Sequence, residues 1–251
     1  MTVLAIQELT KRFGGVEAVS KLSLEVTPAR ITGLIGPNGA GKTTVINLIT
    51  GIVVPTTGRV LLGDREITGL ESYKVARSGI ARTFQNIRLL REASVLDNVV
   101  VGFHRQETTS LAANLVGLPS VWRERRHLRQ RAAEMLERFG MTQYVDVPAG
   151  SLSYGHQRRV EVMRAMATSP DFLLLDEPAA GMNDVEADDL GAVIRSVAAA
   201  GAGVLLVEHN MRFVMSICQD LYVVDYGRLI SAGPPATVFE NPAVISAYFG
   251  A

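Results

Sequence analysis

A glycine-rich loop between two regular elements is the feature that most restricts the fold of this chain. Residues 30–36 (RITGLIG) are typical of a short apolar strand, and residues 42–51 (KTTVINLITG) predict a helix that Gly51 ends. The loop between them reads GPNGAGKT, from Gly36 to Thr43, and fits the pattern G-x-x-x-x-G-K-[ST] at every fixed position. A strand, a loop of this type and a helix in direct succession predict an α/β architecture.

The composition of this loop suits a bound polyphosphate. Its glycines allow successive main-chain N–H groups to point inward and allow the backbone to approach a ligand closely. The helix that follows adds unpaired N–H groups and the positive end of its dipole. Lys42 is expected to reach the terminal phosphates, and the Thr43 hydroxyl is expected to bind Mg²⁺. The predicted phosphate-binding loop comprises Gly36, Pro37, Asn38, Gly39, Ala40, Gly41, Lys42, Thr43 and Thr44.

Two carboxylates follow a second apolar strand, in the segment FLLLDEP (172–178). Acidic groups at the end of a buried strand are costly unless they are hydrogen-bonded or bound to a metal. We expect Asp176 to assist the Mg²⁺, largely through a water molecule. Because neighbouring side chains of a strand alternate in direction, Glu177 points differently and is the candidate general base for a water that attacks the γ-phosphate.

The remaining pattern predicts three regions. The first third is strand-rich and partly antiparallel, with a hairpin turn at Gly63–Asp64. The middle, residues 86–161, is interpreted as a helical subdomain because VWRERRHLRQRAAEMLERFG places apolar residues at helical spacing. Near-continuous apolar strands alternating with a helix follow, and they predict a parallel sheet covered on both faces. The strands are predicted at 172–176, 203–209 and 221–233, and the helix is predicted at 185–201.

The composition argues against some classes of protein. Among 251 residues, 25 basic side chains balance 25 acidic ones, so no overall field favours nucleic acid or anionic lipid. The single cysteine, Cys218, excludes a disulfide within the chain and is interpreted as a core residue. The longest wholly apolar run, 197–207, is shorter than the ~20 residues that a membrane-spanning helix needs.

Further motifs, in order along the chain, resemble the ATP-binding subunit of ABC transporters. LSYGHQRRVEVMRAM, from Leu152, is similar to the signature of that family, although alone it predicts only a loop and a helix capped by Ser153. FQN places Gln85 at the position of the Q-loop glutamine, and VEHN places His209 at the switch histidine. Phe13, in KRFGG, matches the aromatic residue that stacks on adenine. Order and spacing agree across nearly the whole chain.

This resemblance implies the fold class and the ligands. The fold would be α/β, with a P-loop NTPase (RecA-like) core containing a parallel sheet, an antiparallel β subdomain and an α-helical subdomain. Residues 1–251 would form one ATPase domain, with the core at 1–85 and 162–251 and the helical subdomain at 86–161. The bound molecules would be ATP and Mg²⁺.

The resemblance also implies roles for the motif residues. His209 would hydrogen-bond the γ-phosphate and help to orient the water beside Glu177, where otherwise it would be a polar cap on a strand. Gln85 would contact the Mg²⁺ or its water, where otherwise it would be an ordinary surface residue. Ser153, Gly155 and His156 would close on the ATP held by a second subunit, so that two chains enclose two ATP molecules head to tail.

The sequence departs from the family pattern at three positions. His156 stands where the signature usually carries glutamine, and a histidine can still donate a hydrogen bond. Asn183 replaces the common aspartate in the loop after Glu177, and Phe13 replaces the commoner tyrosine but keeps a stacking face. We expect His156 and Asn183 to alter the rate without abolishing activity.

The finer resemblance is to importers of branched-chain amino acids. It rests on segments such as DEPAAGMN, LLVEHNMRFVM and NPAVISAYFG, and residues 104–138 correspond to the central insert of that group. The implied partners are a second ATPase subunit, two transmembrane permeases and, indirectly, a substrate-binding protein, with no nucleic acid. The implied location is the cytoplasmic face of the inner membrane. Urea-type importers and lipopolysaccharide exporters have related subunits, and two weaker alternatives are a nucleic-acid-linked ATPase and a nucleotide-binding regulator without turnover.

Overall fold

The computed structural model describes residues 2–83, 87–106 and 119–249, with the side chains of Arg105 and Phe249 excepted. The strands in this part are β1 (Leu4–Phe13), β2 (Val16–Val26), β3 (Ile31–Ile35), β4 (Thr57–Leu62), β5 (Arg65–Glu66), β6 (Ile80–Arg82), β7 (Phe172–Asp176), β8 (Gly203–Val207), β9 (Asp220–Asp225) and β10 (Arg228–Gly233). They form a four-stranded sheet and a six-stranded sheet.

The six-stranded sheet has the order β10-β9-β3-β8-β7-β6 and is parallel except at β10. Its central strands β3, β7 and β8 are buried along their whole length. Strands buried on both faces require continuous apolar sequences, which explains why FLLLD and GVLLV show no alternation. The parallel sheet that the sequence predicted is therefore confirmed.

The four-stranded sheet has the order β2-β1-β4-β5 and is antiparallel throughout. Gly14 and Gly15 join β1 to β2, and the predicted turn at Gly63–Asp64 joins β4 to β5. The inward side chains of this sheet, among them Leu4, Leu22 and Val60, share one apolar core with α1 and with residues of the parallel sheet. The antiparallel β part expected from the first third of the chain is thus present.

The helices are α1 (Lys42–Ile49), α2 (Ser72–Arg77), α3 (Val95–Gly102), α4 (Pro119–Arg138), α5 (Tyr154–Ala167), α6 (Asp184–Ala199), α7 (Met211–Ile217), α8 (Pro235–Phe239) and α9 (Pro242–Phe249). The apolar spacing noticed in the sequence becomes the buried face of α4, formed by Val121, Leu128, Ala132 and Leu136. None of the helices within the described residues is both long and apolar enough to cross a lipid bilayer.

The chain divides into two units, which we call the first unit (Met1–Gln85 with Asp171–Ala251) and the second unit (Asn86–Pro170). The first unit contains both sheets, and the second contains α3, α4 and α5. The sequence predicts that the helical subdomain ends at residue 161 and that the core resumes at residue 162, which lies inside α5. A helix is one hydrogen-bonded element, so the division falls after its end at Ala167 rather than within it.

The lone cysteine lies in the interior of the first unit. Cys218 is buried, and this burial raises the pKa of its thiol to about 12. A thiol with such a pKa is protonated at neutral pH and is a poor nucleophile. Cys218 is therefore a packing residue, as the sequence analysis interpreted it.

Candidate nucleotide site

The candidate site residues of the first unit lie at the ends of three neighbouring strands. The glycine loop follows β3, Asp176 is the last residue of β7, and His209 lies two residues beyond the end of β8. Because β3, β8 and β7 are adjacent and parallel, these residues leave the sheet at the same edge. Ligand sites of open parallel sheets lie at this carboxyl edge.

The loop after β3 depends on glycine at two tightly packed positions. Gly41 is the N-cap of α1 and has a φ of 98°, a left-handed conformation that residues with a Cβ rarely adopt. A Cβ at Gly41 would also collide with the carbonyl oxygen of Ala18, and one at Gly36 would collide with that of Val224. The loop can therefore pack its backbone against β2 and β9 only with these two glycines.

The side chain of Lys42 turns back into this loop. Its Nζ donates hydrogen bonds to the carbonyl oxygens of Gly36 (2.7 Å) and Pro37 (2.9 Å). Burial lowers the pKa of Lys42, whereas the negative charges of Glu177, Asp176 and Glu208 act to raise it. A buried ammonium that carbonyl oxygens hold in the loop is well placed to bind phosphate oxygens.

Asp176 is joined to the helix after the loop by an arginine that the sequence analysis did not single out. Arg82 lies on β6, and its Nη2 is 3.7 Å from Asp176 Oδ2. Its Nη1 donates hydrogen bonds to Asn47 Oδ1 (2.8 Å), on α1, and to Thr50 Oγ1 (3.1 Å), the residue that caps the end of α1. Arg82 thereby connects the carboxylate that ends β7 with the element that carries Lys42 and Thr43.

The oxygen donors of this site fit a magnesium ion. The Thr43 hydroxyl and the Asp176 carboxylate are hard oxygen ligands of the kind that Mg²⁺ prefers. Within the described ranges, no group of three or more His, Cys, Asp or Glu side chains could hold a metal. The Thr43 and Asp176 oxygens suit a cation that takes one or two protein ligands and completes its coordination with phosphate and water.

Glu177 occupies a strained backbone conformation. Its φ is 48°, although it is not a glycine, and its N–H donates to the carbonyl oxygen of Val207 (2.9 Å). Left-handed backbone at a non-glycine residue costs of order 1–3 kcal/mol and persists only where the surrounding structure enforces it. The side chain is 19% exposed, so that a water molecule has access to the carboxylate.

His209 lies beside Glu177. Its Nδ1 is 3.7 Å from Glu177 Oε1 and 3.8 Å from Glu208 Oε2, and its side chain is 53% exposed. The structure thus brings together the two residues that the sequence analysis assigned to the attacking water. Gln85, the third residue assigned to catalysis, lies outside the described residues.

Phe13, the predicted adenine-stacking residue, is the last residue of β1 and is half exposed. The Lys11 Nζ lies 5.0 Å from the centre of its ring, within the range of a cation–π contact. An exposed aromatic ring at the end of a strand is free to receive a planar base.

The signature-like segment lies in the second unit. Ser153 is the N-cap of α5, as predicted, and its Oγ accepts a hydrogen bond from the His156 N–H (3.4 Å). The same Oγ hydrogen-bonds to His156 Nδ1 at 2.8 Å, and the imidazole packs against the ring of Tyr144 with centroids 4.7 Å apart. Ser153 is exposed while Gly155 is buried, so the start of α5 reaches the surface at its capping serine.

Comparison with known proteins relates the chain to one family. The family model for ABC transporters matches residues 19–180, and that for branched-chain amino acid ATP-binding cassette transporters matches residues 228–251. The chain is 44% identical over 249 residues to the high-affinity branched-chain amino acid transport ATP-binding protein BraF of Pseudomonas aeruginosa, a match that covers 99% of this chain and 98% of that protein.

This chain belongs to the ABC transporter family.

Other relatives extend the comparison within the ABC transporter family. LivG of Escherichia coli, also a high-affinity branched-chain amino acid transport ATP-binding protein, is 44% identical over 99% of this chain and 98% of its own. The lipopolysaccharide export system ATP-binding protein LptB of Escherichia coli is 35% identical over 100% and 98%. The solved ADP conformation of MJ1267, an ATP-binding cassette of an ABC transporter, superimposes with a TM-score of 0.85 at 31% identity and covers all of both chains.

Membership of the ABC transporter family confirms two predictions made from the sequence. The fold class is that of ABC ATPase cassettes, with a parallel sheet, an antiparallel sheet and helices. The chain is an ATP-hydrolysing enzyme.

Asn183 replaces the usual aspartate of ABC cassettes, and here it caps α6. Its Oδ1 accepts from the Glu186 N–H (3.0 Å), and its own N–H donates to Glu186 Oε2 (3.2 Å), which together form a capping box. Asparagine and aspartate are similarly effective as N-caps. The substitution therefore preserves the local structure of the loop that follows Glu177.

Glu208 is a residue of this cassette that the sequence analysis missed. It follows the buried strand β8 directly and is completely buried itself. The signal was available, because the same position after a buried strand drew attention to the carboxylates of FLLLDEP. The segment VEHN was interpreted only through its histidine, which matches the switch histidine of the family, and its glutamate was passed over.

Proposed function

We propose that this chain is the ATP-binding and hydrolysing subunit of an importer for branched-chain amino acids, attached to the cytoplasmic face of the inner membrane. The observation that carries the proposal is the meeting of Lys42, Asp176, Glu177 and His209 at one edge of the parallel sheet. The branched-chain cargo is supported by the relatives BraF and LivG and by the family model at residues 228–251.

Each of these residues has one chemical role. Lys42 moves its hydrogen bonds from the carbonyl oxygens of the loop to the β- and γ-phosphates of ATP. Glu177 accepts a proton from the water that attacks the γ-phosphate, and the neighbouring His209 hydrogen-bonds the γ-phosphate and orients that water. Thr43 and, through water, Asp176 would hold Mg²⁺, which would neutralise part of the phosphate charge. The family resemblance assigns Gln85, which lies outside the described residues, to contact with the metal or its water.

The nucleotide is bound between two subunits in this proposal. Phe13 stacks on the adenine, and residues 36–44 bind the phosphates within one chain. Ser153, Gly155 and His156 of the second chain then cover the γ-phosphate with the N-terminus of α5. In a symmetric dimer each chain contributes both halves, so a single sequence can supply two complete sites.

Replacement of Ser153 by arginine tests the shared site. We expect Ser153→Arg to bind ATP as a monomer with normal affinity, because the residue lies outside the phosphate loop, and to lose ATP-dependent dimerisation through bulk and lost hydrogen bonding. Sedimentation velocity of the hydrolysis-deficient Glu177→Gln background, with and without ATP, measures this. Ser246→Arg, at an exposed position of α9, controls for the added charge. A normal ATP-dependent dimer of Ser153→Arg would exclude a role for this serine in dimer closure.

The proposed partners are a second ATPase subunit, two transmembrane permeases and, through them, a substrate-binding protein. Closure of the dimer on ATP drives transport. ATP favours closure because it binds the closed state more tightly and shifts the population towards it. Related ATPases serve lipopolysaccharide export, as LptB does, and 35% identity keeps that function as the alternative to amino acid import.

Uptake by cells that lack the chain distinguishes these functions. We expect deletion to abolish ATP-dependent uptake of radiolabelled leucine, isoleucine and valine, and we expect the wild-type chain, but not Glu177→Gln, to restore it. The tagged chain should co-purify from membranes with two multi-spanning proteins. Normal leucine uptake together with loss of surface lipopolysaccharide would contradict the import function and support lipopolysaccharide export.

A further inference from the structure

Glu208 is a fully buried carboxylate beside the loops that carry Glu177 and His209. It lies directly after β8 and has no exposed surface. A buried carboxylate is unfavourable unless hydrogen bonds replace its hydration. Two other buried carboxylates of the described chain have arginine partners, Arg82 for Asp176 and Arg158 for Glu161. Glu208 is stabilised differently, through main-chain donors.

The two oxygens of Glu208 bind two different loops. Oε1 accepts a hydrogen bond from the N–H of Ala179 (2.8 Å), in the loop that follows β7. Oε2 accepts from the N–H groups of His209 (3.0 Å) and Asn210 (3.4 Å), in the loop that follows β8. One carboxylate therefore joins the two segments that carry Glu177 and His209.

The position of Pro178 makes this connection particularly important. Proline has no N–H, so Ala179 is the first residue after Glu177 whose main chain can donate a hydrogen bond. Glu177 itself has a strained φ of 48°, which persists only where the surrounding structure enforces it. The Ala179–Glu208 hydrogen bond holds the chain two residues beyond this strained position.

Glu208 is not placed to exchange protons with the attacking water. Its side chain is buried, and its two oxygens are occupied by main-chain donors, whereas Glu177 is partly exposed. His209 Nδ1 lies 3.7 Å from Glu177 Oε1 and 3.8 Å from Glu208 Oε2. The geometry thus suits a residue that sets the positions of others.

We infer that Glu208 is a positioning residue for ATP hydrolysis, which holds the general base Glu177 and the histidine His209 at a fixed separation. This inference rests on the proposed function, since it uses the roles given there to Glu177 and His209. Glu208 forms hydrogen bonds to neither the phosphate loop nor Phe13, although its negative charge acts on Lys42. Its loss should therefore slow the chemical step without weakening nucleotide binding, since it removes a negative charge near the phosphate site.

Glu208→Gln tests this inference with almost no change of shape. One oxygen becomes an NH₂ group that opposes a main-chain N–H, so one of the two loops is released. We expect kcat for ATP hydrolysis to fall about a hundredfold, since displacement of a catalytic group by about 1 Å has an effect of that size. The KM and the dissociation constant for ATP should not rise. Glu186→Gln is the matched control, because Glu186 also accepts a main-chain N–H, and its kcat should remain that of the wild type.

A double variant separates positioning from general stability. If Glu208 acts through His209, then Glu208→Gln should lower kcat much less in a His209→Ala background than in the wild type. Equal losses in both backgrounds, or a loss of ATP affinity, would overturn the inference. Glu208→Asp keeps the charge but cannot span both loops, so it replaces the glutamine variant in this test if that variant does not fold. Wild-type kcat in either folded variant would also overturn the inference. Full activity of Glu177→Gln and His209→Ala would instead refute the proposed catalytic roles themselves.

Discussion

Glu177→Gln should bind ATP with the affinity of the wild type and hydrolyse it about 10²–10⁴-fold more slowly, the usual contribution of a general base. This corresponds to about 3–5 kcal/mol of activation free energy. Glutamine has the size and Cβ of glutamate, so it adopts the left-handed backbone of this position at a similar cost, but it cannot accept a proton. Phosphate release at saturating ATP measures the rate, and calorimetry measures the binding.

The control for this variant is Glu71→Gln. Glu71 is an exposed glutamate that pairs with Lys74 at 2.8 Å and lies at the start of α2, away from the carboxyl edge of the parallel sheet. Its replacement should leave both the rate and the affinity unchanged. Near-normal turnover by Glu177→Gln would remove this residue from the chemical step.

Lys42→Ala should weaken ATP binding itself. A hydrogen bond to a charged group contributes about 1.5–3 kcal/mol, which corresponds to a roughly 10- to 150-fold rise in the dissociation constant. Removal of the ammonium also deprives the carbonyl oxygens of Gly36 and Pro37 of their donor, so the loop loses part of its internal support. Titration calorimetry with ATP and Mg²⁺ measures the change.

Lys74→Ala provides the comparison for the lysine variant. Lys74 is exposed and forms a surface ion pair with Glu71, which contributes little to stability. We expect its affinity for ATP to equal that of the wild type. If Lys42→Ala also bound ATP normally, the assignment of residues 36–44 as the phosphate site would fail.

Local sequence patterns determined much of the architecture. The glycine loop with its flanking strand and helix predicted β3 and α1, since Gly36 and Gly41 are required by backbone packing and left-handed conformation that other residues tolerate poorly. Uniformly apolar segments predicted β7 and β8, and spaced apolar residues predicted α4. Each of these signals arises from neighbours in the chain, so a single sequence is sufficient to detect it.

The order of the strands decided what the local patterns could not. Only the placement of β3, β8 and β7 side by side brings Lys42, Glu177 and His209 to one edge, from positions far apart in the chain. Resemblance to a family assigned roles to these residues, whereas the distances between them depend on the folded sheet.

The sequence by itself therefore determined the phosphate loop, the buried strands and the family, because these depend on local backbone geometry and on recurring motifs. Only the tertiary structure decided the partners of Arg82 and Glu208, and it placed the end of the second unit after α5 rather than at residue 161. The physical reason is that burial and long-range hydrogen bonds join residues from separate strands. A pattern within one segment of the sequence cannot predict which distant main-chain N–H will donate to a given carboxylate.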